Sequence, residues 1–193
     1  VDHIAMLPVL FKYGYRGPVY CTAPTRDLMT LLQMDYIKVN QAEGSEPPYS
    51  KADIQECIKH VVDIRWGDKT DIAPDVKVTL ENAGHILGSS SVYMQIGEGN
   101  SEHRLLFSGD IKYERSWLFD SATVRFPKVE TLVIESTYGG PQDFQPNRQD
   151  ATQELQDLVR LALSRGGKIF CPVFAVGRSQ EVMIALDQLF KSG

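Results

Sequence analysis

The stretch from Asn82 to Ser91, which reads Asn-Ala-Gly-His-Ile-Leu-Gly-Ser-Ser-Ser, most constrains how this chain can fold. It lies between two runs that alternate apolar and polar residues, 76–80 and 92–96, and this alternation predicts two half-buried β-strands. The connection carries two glycines and a histidine where a plain hairpin needs only a short polar turn. His85 is therefore predicted at the mouth of a sheet, where functional side chains concentrate. Considered alone, His85 would be interpreted as a solvated loop histidine.

Two further predicted strands end in an acidic residue beside small polar residues. Residues 104–107 form an apolar strand that leads into Ser108-Gly109-Asp110, and residues 131–134 lead into Glu135-Ser136-Thr137. In layered α/β folds the ends of strands are usual places for metal ligands and catalytic acids. Gly-Asp is also a common turn sequence, so this pair alone supports either interpretation. Together with the His85 loop, the two strand ends form a candidate site.

The overall composition is that of an ordinary globular protein. The chain has 193 residues, of which 42% are hydrophobic and 23% charged, and its net charge is −5. This charge argues against general coating of nucleic acid but allows a local basic groove. The three cysteines are far apart, which favours buried thiols in a reducing cytoplasm over a disulfide framework. We find no apolar run long enough for a membrane span and no signal peptide, and we predict a cytoplasmic protein with no membrane partner.

The first part of the chain is predicted to be mainly helical. Asp2 and His3 precede a helical pattern that Pro8 interrupts, and a capping aspartate beside an incidental histidine explains these two residues equally well. A short strand is expected at 19–21. A helix then follows from about residue 24 to residue 36, and its inward side chains are predicted to be Leu28, Leu31 and Leu32.

The last third has a helix–strand–helix pattern that differs from the strand-rich region before it. We predict a helix over 147–165, with Leu155, Leu158, Val159 and Ala162 inward, a buried strand over 168–174, and a second helix after Gly177-Arg178. The start of that helix suits a phosphate, because it offers free N–H groups and the guanidinium of Arg178 gives two parallel donors. Alternatively, Arg178 pairs with a carboxylate such as Glu181 or Glu135 and only stabilises the structure.

The candidate site combines the ligand types that zinc prefers. Imidazole nitrogens and carboxylate oxygens both bind borderline divalent metals, and the set consists of Asp2, His3, His85 and Asp110. Ligands on separate loops at one sheet edge leave coordination positions open for water and substrate. A metal lowers the pKa of bound water from about 15.7 to about 7, and a carboxylate that bridges two metals suits attack on a phosphate. The set therefore indicates metal-assisted hydrolysis.

Five segments follow one another in an order known from one protein family. They are Asp2-His3, residues 83–89, Ser108-Gly109-Asp110, residues 135–139 and residues 172–181. With these segments the chain resembles the β-CASP branch of the metallo-β-lactamase fold. The first looks like the end of the family's H-x-H-x-D-H motif, and the next two match its third and fourth metal motifs. The last two are similar to the acidic motif that opens the β-CASP region and to a segment inside that region.

The resemblance is greatest to the archaeal homologues of the cleavage and polyadenylation specificity factor nuclease, which carry KH domains upstream. The segment Pro24-Thr25-Arg26-Asp27-Leu28 is the feature that favours this group. The resemblance implies an α/β fold with two parts. Residues 1–140 would be part of a metallo-β-lactamase αββα core, and residues 141–193 the start of an α/β β-CASP domain.

The resemblance also implies the site residues. Two Zn²⁺ ions would be bound per complete active site, with Asp2, His3, His85 and Asp110 as ligands and Asp110 as the bridge. Asp2 and Glu135 would be the catalytic carboxylates, and Glu135 would orient a proton-transferring histidine that lies outside this sequence. The residues that would bind the substrate are Ser136, Thr137, Gly177 and Arg178.

The function that the resemblance implies is zinc-dependent cleavage of RNA. It would act as an endonuclease and 5′–3′ exonuclease in RNA 3′-end processing, transcription termination or RNA turnover, with RNA as partner and a homodimer formed through other regions. The first histidines of the H-x-H-x-D-H motif and the later β-CASP histidines fall outside residues 1–193. We therefore expect a segment of a longer protein, inactive alone. Two alternatives stay open: a β-CASP nuclease that acts on DNA, and a non-catalytic scaffold paralogue.

Overall fold

The computed structural model describes residues 3–192 and shows a mixed α/β fold, which confirms the predicted class. Asp2, to which the sequence assigns a ligand and a catalytic role, lies outside the described residues. The elements are, in order, α1 (Leu7–Lys12), β1 (Val19–Cys21), α2 (Ala23–Ala42), α3 (Lys51–Lys59), β2 (Val61–Asp63), β3 (Lys69–Ala73), β4 (Val76–Asn82), β5 (Ser90–Ile96), β6 (His103–Phe107), β7 (Thr131–Val133), α4 (Arg148–Ser164) and α5 (Arg178–Ser192).

The larger sheet has five strands in the order β3-β4-β5-β6-β7. Strands β3 to β6 pair antiparallel in chain order, and β7 pairs parallel with β6. Asn82 lies opposite Ser90, Val92 opposite Phe107, and Phe107 opposite Val133. The end of β4, the start of β5 and the ends of β6 and β7 therefore meet at one edge of the sheet. That edge carries the loops that the sequence predicts to be functional.

The helices of the first half pack beside a separate, smaller pair of strands. Strands β1 and β2 are parallel. Helices α1, α2 and α3 contribute the core cluster Phe11, Met29 and Cys57, and Val19 and Val61 of the two strands pack against it. Helix α3 begins with a capping box in which Ser50 and Asp53 each accept a hydrogen bond from the other's backbone N–H. The pair satisfies two N–H groups that a helix start leaves open.

Helix α2 contacts two segments that carry predicted metal ligands. At its N-terminus the hydroxyl groups of Thr22 and Thr25 donate to the Gly88 carbonyl, at 2.9 and 3.0 Å. Further along the helix the fully buried Gln33 donates from Nε2 to the Ile4 carbonyl, at 2.9 Å. Gly88 belongs to the His85 loop, and Ile4 is the neighbour of His3. One rigid helix therefore holds both backbone segments.

The predicted strand over 168–174 is wrong for the described chain, because these residues form no strand there. The run is apolar, but no described strand pairs with it, so its backbone has no ladder partner. Phe170 and Phe174 are 90% and 81% exposed. An apolar run predicts burial, but only a neighbouring strand can realise a sheet.

Three predicted helices exist with small differences in length and in their inward faces. Helix α2 extends to Ala42, beyond the expected end near residue 36. Its buried side chains are Met29, Gln33 and Ile37, whereas Leu31, predicted inward, is exposed. In α4 the inward prediction holds for Val159 and fails for Leu158, which is exposed.

None of the described helices is both long enough and apolar enough to cross a membrane.

We predict that Gly88→Ala destabilises the full-length protein, because Gly88 lies where the His85 loop meets α2. Its φ is +80°, and an added Cβ would lie 2.8 Å from Thr22 Oγ1 and 2.9 Å from the Thr25 nitrogen. Backbone strain and this overlap together should lower the free energy of unfolding by about 2–4 kcal/mol. Urea titration followed by circular dichroism measures the change.

Gly44→Ala is the matched control, because Gly44 has a φ of +74° with no atom within 4 Å of an added Cβ. This variant measures the cost of the left-handed backbone conformation alone, which we expect to lower the free energy of unfolding by about 1–2 kcal/mol. Equal losses in the two variants would mean that the contact with α2 contributes nothing.

Candidate functional site

The His85 loop is held in shape by its own polar groups. The Asn82 side chain accepts a hydrogen bond from the Gly84 N–H at 2.9 Å, and the Ser89 hydroxyl accepts from the His85 N–H at 3.2 Å. Gly84 has a φ of +68°, and a Cβ there would lie 2.6 Å from the Lys112 carbonyl oxygen. The close approach of these two chain segments therefore requires glycine. The result is a tight loop that presents His85 at the sheet edge.

The Asp110 carboxylate lies between the two described histidines of the predicted metal site. Its Oδ1 is 3.6 Å from His3 Nε2, and its Oδ2 is 3.7 Å from His85 Nε2. All three side chains are accessible, with exposed fractions of 56%, 44% and 41% for His3, His85 and Asp110. Each carboxylate oxygen thus faces a different imidazole, which is the arrangement expected of a bridging ligand.

The spacing of these groups suits a partial metal site. Ligands at about 2.0–2.2 Å from a tetrahedral zinc lie about 3.4 Å from one another, close to the two nitrogen–oxygen separations around Asp110. Within residues 3–192, however, no three His, Cys, Asp or Glu side chains converge on one point. The described residues therefore form two overlapping pairs, each of which fits part of a zinc coordination sphere. The ligand role assigned to Asp2 stays a prediction.

Glu135 holds the segment that follows Asp110. Its Oε1 accepts from the Ile111 N–H at 2.8 Å and its Oε2 from the Thr137 hydroxyl at 2.6 Å, while its own N–H donates to the Ser108 hydroxyl at 3.2 Å. Burial opposes ionisation of the carboxyl, but the hydrogen bonds from Thr137 and Ile111 and the charge of His85 outweigh it. The pKa of Glu135 therefore lies below its ordinary value. The Glu135 carboxylate positions the loop that carries Asp110. Thr137 is predicted to bind substrate, but its hydroxyl donates to the Glu135 carboxylate and so helps to fix the position of that group.

The other predicted substrate-binding residues are accessible and partly engaged by neighbours. Ser136 is exposed, and its carbonyl accepts from the Gly139 N–H. The Gly177 N–H donates to Gln180 Oε1 at 2.7 Å, so this amide is already used at the start of α5. Arg178 Nη1 lies 3.3 Å from Glu181 Oε2, as the structural alternative predicts, yet the Arg178 side chain is 58% exposed.

The sequence did not predict a charged cluster that forms where the segment after Asp110 meets helices α4 and α5. Arg148 Nη1 lies 2.9 Å from Glu181 Oε1, and the Arg148 guanidinium carbon lies 5.7 Å from the centre of the Trp117 ring. Lys112 is half-buried nearby, and burial together with the charges of Arg148 and Arg178 lowers the pKa of its ammonium group. These residues come from separate segments, so no local pattern could have linked them. Only the position of Lys112, two residues after Asp110, could have indicated from the sequence that it lies near the candidate site.

Glu181 is the shared carboxylate of this cluster. Its side chain is 13% exposed and contacts both Arg148 and Arg178. Burial opposes its ionisation, but the Arg148 hydrogen bond and the charges of Lys112, Arg148 and Arg178 outweigh it, so the pKa of Glu181 lies below its ordinary value of 4.5. The ionised form is therefore the form that stabilises the fold.

We predict that Glu181→Gln destabilises the full-length protein in a pH-dependent manner. Because the folded pKa is lowered, the stabilisation is complete above about pH 4.5 and is lost as the pH falls through the folded pKa. Near pH 7 the variant should lose about 1–3 kcal/mol in the free energy of unfolding, and near pH 3 the difference should shrink. Asp187→Asn removes an exposed carboxylate from the same helix and should cost less than about 0.5 kcal/mol. A loss that is independent of pH would contradict the assignment.

Comparison with known proteins gives matches that cover the whole of this chain. No protein-family model matches the chain. It is 51% identical to transcription termination factor FttA of Methanothermobacter thermautotrophicus and of Methanocaldococcus jannaschii, and 50% identical to that of a Lokiarchaeum species. Each match covers 100% of this chain, which spans about 30% of the length of these curated relatives. Over the segment that it shares with them, the chain is therefore a homologue of the archaeal FttA proteins, and the resemblance to the archaeal β-CASP group seen in its motifs is confirmed.

Proposed function

We propose that the full-length protein containing this segment is a zinc-dependent ribonuclease that acts in transcription termination or RNA 3′-end processing. The observation that carries the proposal is the Asp110 carboxylate, whose two oxygens face His3 and His85 at 3.6 and 3.7 Å. The relatives are named transcription termination factors, which supports a role at the ends of transcripts. RNA is then the partner, and a cytoplasmic site of action and a homodimer formed through other regions are parts of the same proposal.

In this proposal each described residue has a separate task. His3, His85 and Asp110 hold metal, together with Asp2 and with ligands from outside this sequence. Zinc bound there would activate water and neutralise charge on the phosphate. Glu135 keeps the Asp110 loop in place through the Ile111 N–H. The loops lie at an accessible sheet edge, so an RNA strand can reach them.

We predict that Asp110→Ala and His85→Ala each lower RNA cleavage by the full-length protein to below about 1% of the wild-type rate. Asp110→Ala should lose more metal than His85→Ala, because a bridging carboxylate serves both ions. Cleavage of a labelled single-stranded RNA and zinc content by mass spectrometry are the two measurements.

His103→Ala is the matched histidine control. His103 begins β6, at the end of that strand remote from Asp110, and its Nε2 lies 2.9 Å from Thr131 Oγ1. It should retain both cleavage and metal. Normal cleavage by Asp110→Ala would overturn the proposal. Full metal content with no cleavage of RNA by the wild-type protein would instead favour the scaffold or DNA alternative.

We predict that Glu135→Gln reduces cleavage about 10- to 100-fold, as substitutions behind metal ligands commonly do. The amide NH₂ would face either the Ile111 N–H or the Thr137 hydroxyl, both of which now donate to the carboxylate. The loop that carries Asp110 should therefore shift, and the affinity for zinc should fall as well. Glu130→Gln is the control, because Glu130 pairs with Arg104 and Lys128 at the end of β6 remote from Asp110, and it should change neither quantity. Unchanged zinc affinity and cleavage in Glu135→Gln would exclude the positioning role.

A further inference from the structure

Gln33 of helix α2 is a glutamine at a position where an apolar side chain is expected. It is fully buried and lies one helical turn from Met29 on one side and from Ile37 on the other, both of which are also buried. Its Nε2 donates to the Ile4 carbonyl at 2.9 Å, and because a carbonyl can only accept, the orientation of the amide is fixed. Oε1 therefore faces away from Ile4, and it accepts no hydrogen bond from residues 3–192.

Stability does not explain this amide. A buried acceptor without a donor costs free energy that a methionine of similar size would not. The Ile4 carbonyl does not depend on Gln33 for a partner either, because the Leu7 N–H also donates to it, at 3.2 Å. The hydrogen bond from Gln33 adds a link between α2 and the turn over residues 3–6. This glutamine therefore fixes the position of that turn.

The turn presents the imidazole of His3 to the candidate metal centre. His3 Nε2 lies 3.6 Å from Asp110 Oδ1, and the His3 side chain is 56% exposed. An imidazole that is more than half exposed depends strongly on its own backbone for its position, and Gln33 holds the next residue of that backbone. Ligand distances in a metal site tolerate errors of only about 0.2 Å. A small shift of the turn would therefore weaken any metal shared by His3 and Asp110.

The His85 side of the candidate site is held by different groups. The hydroxyl groups of Thr22 and Thr25 hold the His85 loop through the Gly88 carbonyl. Gln33 lies eight residues beyond Thr25, which is about 12 Å along an α-helix. The two sides of the site therefore have separate attachment points on the same helix.

We propose that Gln33 is a positioning residue that sets the affinity of one of two metal positions, the one between His3 and Asp110. The proposal rests on the proposed function only for the presence of zinc at these ligands. A residue that merely stabilises the core would affect both metal positions through the fold as a whole. Gln33 instead acts on one position, through His3, and leaves the position beside His85 unchanged.

The test is a titration of zinc into the metal-free full-length protein in competition with a chromogenic chelator. Gln33→Met keeps the size of the side chain but removes the hydrogen bond to Ile4. It should weaken one of two zinc ions about 10-fold or more and leave the other within about 2-fold. The melting temperature of the metal-free protein should change by less than about 4 °C. Equal weakening of both ions, or of neither, would overturn the proposal.

Double variants separate positioning from general damage. If Gln33 acts through His3, Gln33→Met combined with His3→Ala should bind the remaining zinc ion as tightly as His3→Ala alone. Combined with His85→Ala, Gln33→Met should still weaken the remaining ion about 10-fold. A further loss of affinity in the His3→Ala protein would mean that Gln33 acts by another route, and the proposal would be wrong.

Two variants of the same helix serve as controls. Gln41→Met makes the same chemical change at an exposed position and should alter neither zinc ion. Ile37→Val removes one methyl group from a buried side chain that packs with Tyr49 and Ile54, and it should lower the melting temperature without weakening zinc. Selective loss of the same zinc ion in Ile37→Val would show that the loss follows stability alone, against the proposal.

A second substitution covers the case in which Gln33→Met does not fold. Gln33→Asn keeps a buried amide but is one methylene shorter, so it no longer reaches Ile4. It should give the same selective loss of one zinc ion, and normal binding of both ions by this variant would overturn the proposal.

RNA cleavage is measured separately on the same proteins. If the wild type binds two zinc ions, Gln33→Met weakens one of them and the wild type cleaves no RNA, the ribonuclease is refuted and the positioning role stands. If cleavage depends on Asp110 but Gln33→Met binds zinc normally, only the positioning role is refuted. A wild-type protein that binds no zinc would overturn both.

Discussion

The register of the central hairpin is the constraint on which the candidate site depends. Because Asn82 lies opposite Ser90, the seven residues between them must turn at one sheet edge. Strand β6 runs antiparallel to β5 and β7 parallel to β6, so both deliver their ends to that edge. A slip of one residue would exchange the faces of every side chain along a strand. The meeting of His85, Asp110 and Glu135 thus follows from backbone hydrogen bonding before any side chain of the site makes a contact.

Helix α2 adds what the sheet alone cannot supply. The sheet edge does not include the segment that carries His3, yet His3 lies 3.6 Å from Asp110. The same helix binds the Gly88 carbonyl through Thr22 and Thr25 and the Ile4 carbonyl through Gln33. Gln33 is fully buried, so its amide is held within the core and has little freedom to move. The distance between the two histidines is therefore set by the length of a rigid helix.

Much of this arrangement could be predicted from the sequence, because its signals are local. Alternation along 76–80 and 92–96 gives the hairpin, and the glycines at 84 and 88 mark the tight loop between them. Local signals of this kind could not decide whether residues 168–174 form a strand. Its apolar composition is correct for a buried strand, but burial needs a partner that the described residues do not provide. The prediction that Leu31 points inward was wrong for a related reason. Helical spacing defines an apolar face, but it does not decide which of two neighbouring faces packs against the core.

The cluster of Trp117, Arg148 and Glu181 is the opposite case, because tertiary structure creates it and no local sequence pattern predicts it. Trp117, Arg148 and Glu181 lie far apart in the sequence and are ordinary residues in their own segments. Once folded, Glu181 contacts Arg148 and Arg178 and lies close enough to Lys112 for the two charges to shift each other's pKa, so one carboxylate interacts with three cations. The cost of this arrangement falls on Lys112, because burial and the charges of Arg148 and Arg178 lower the pKa of its ammonium group.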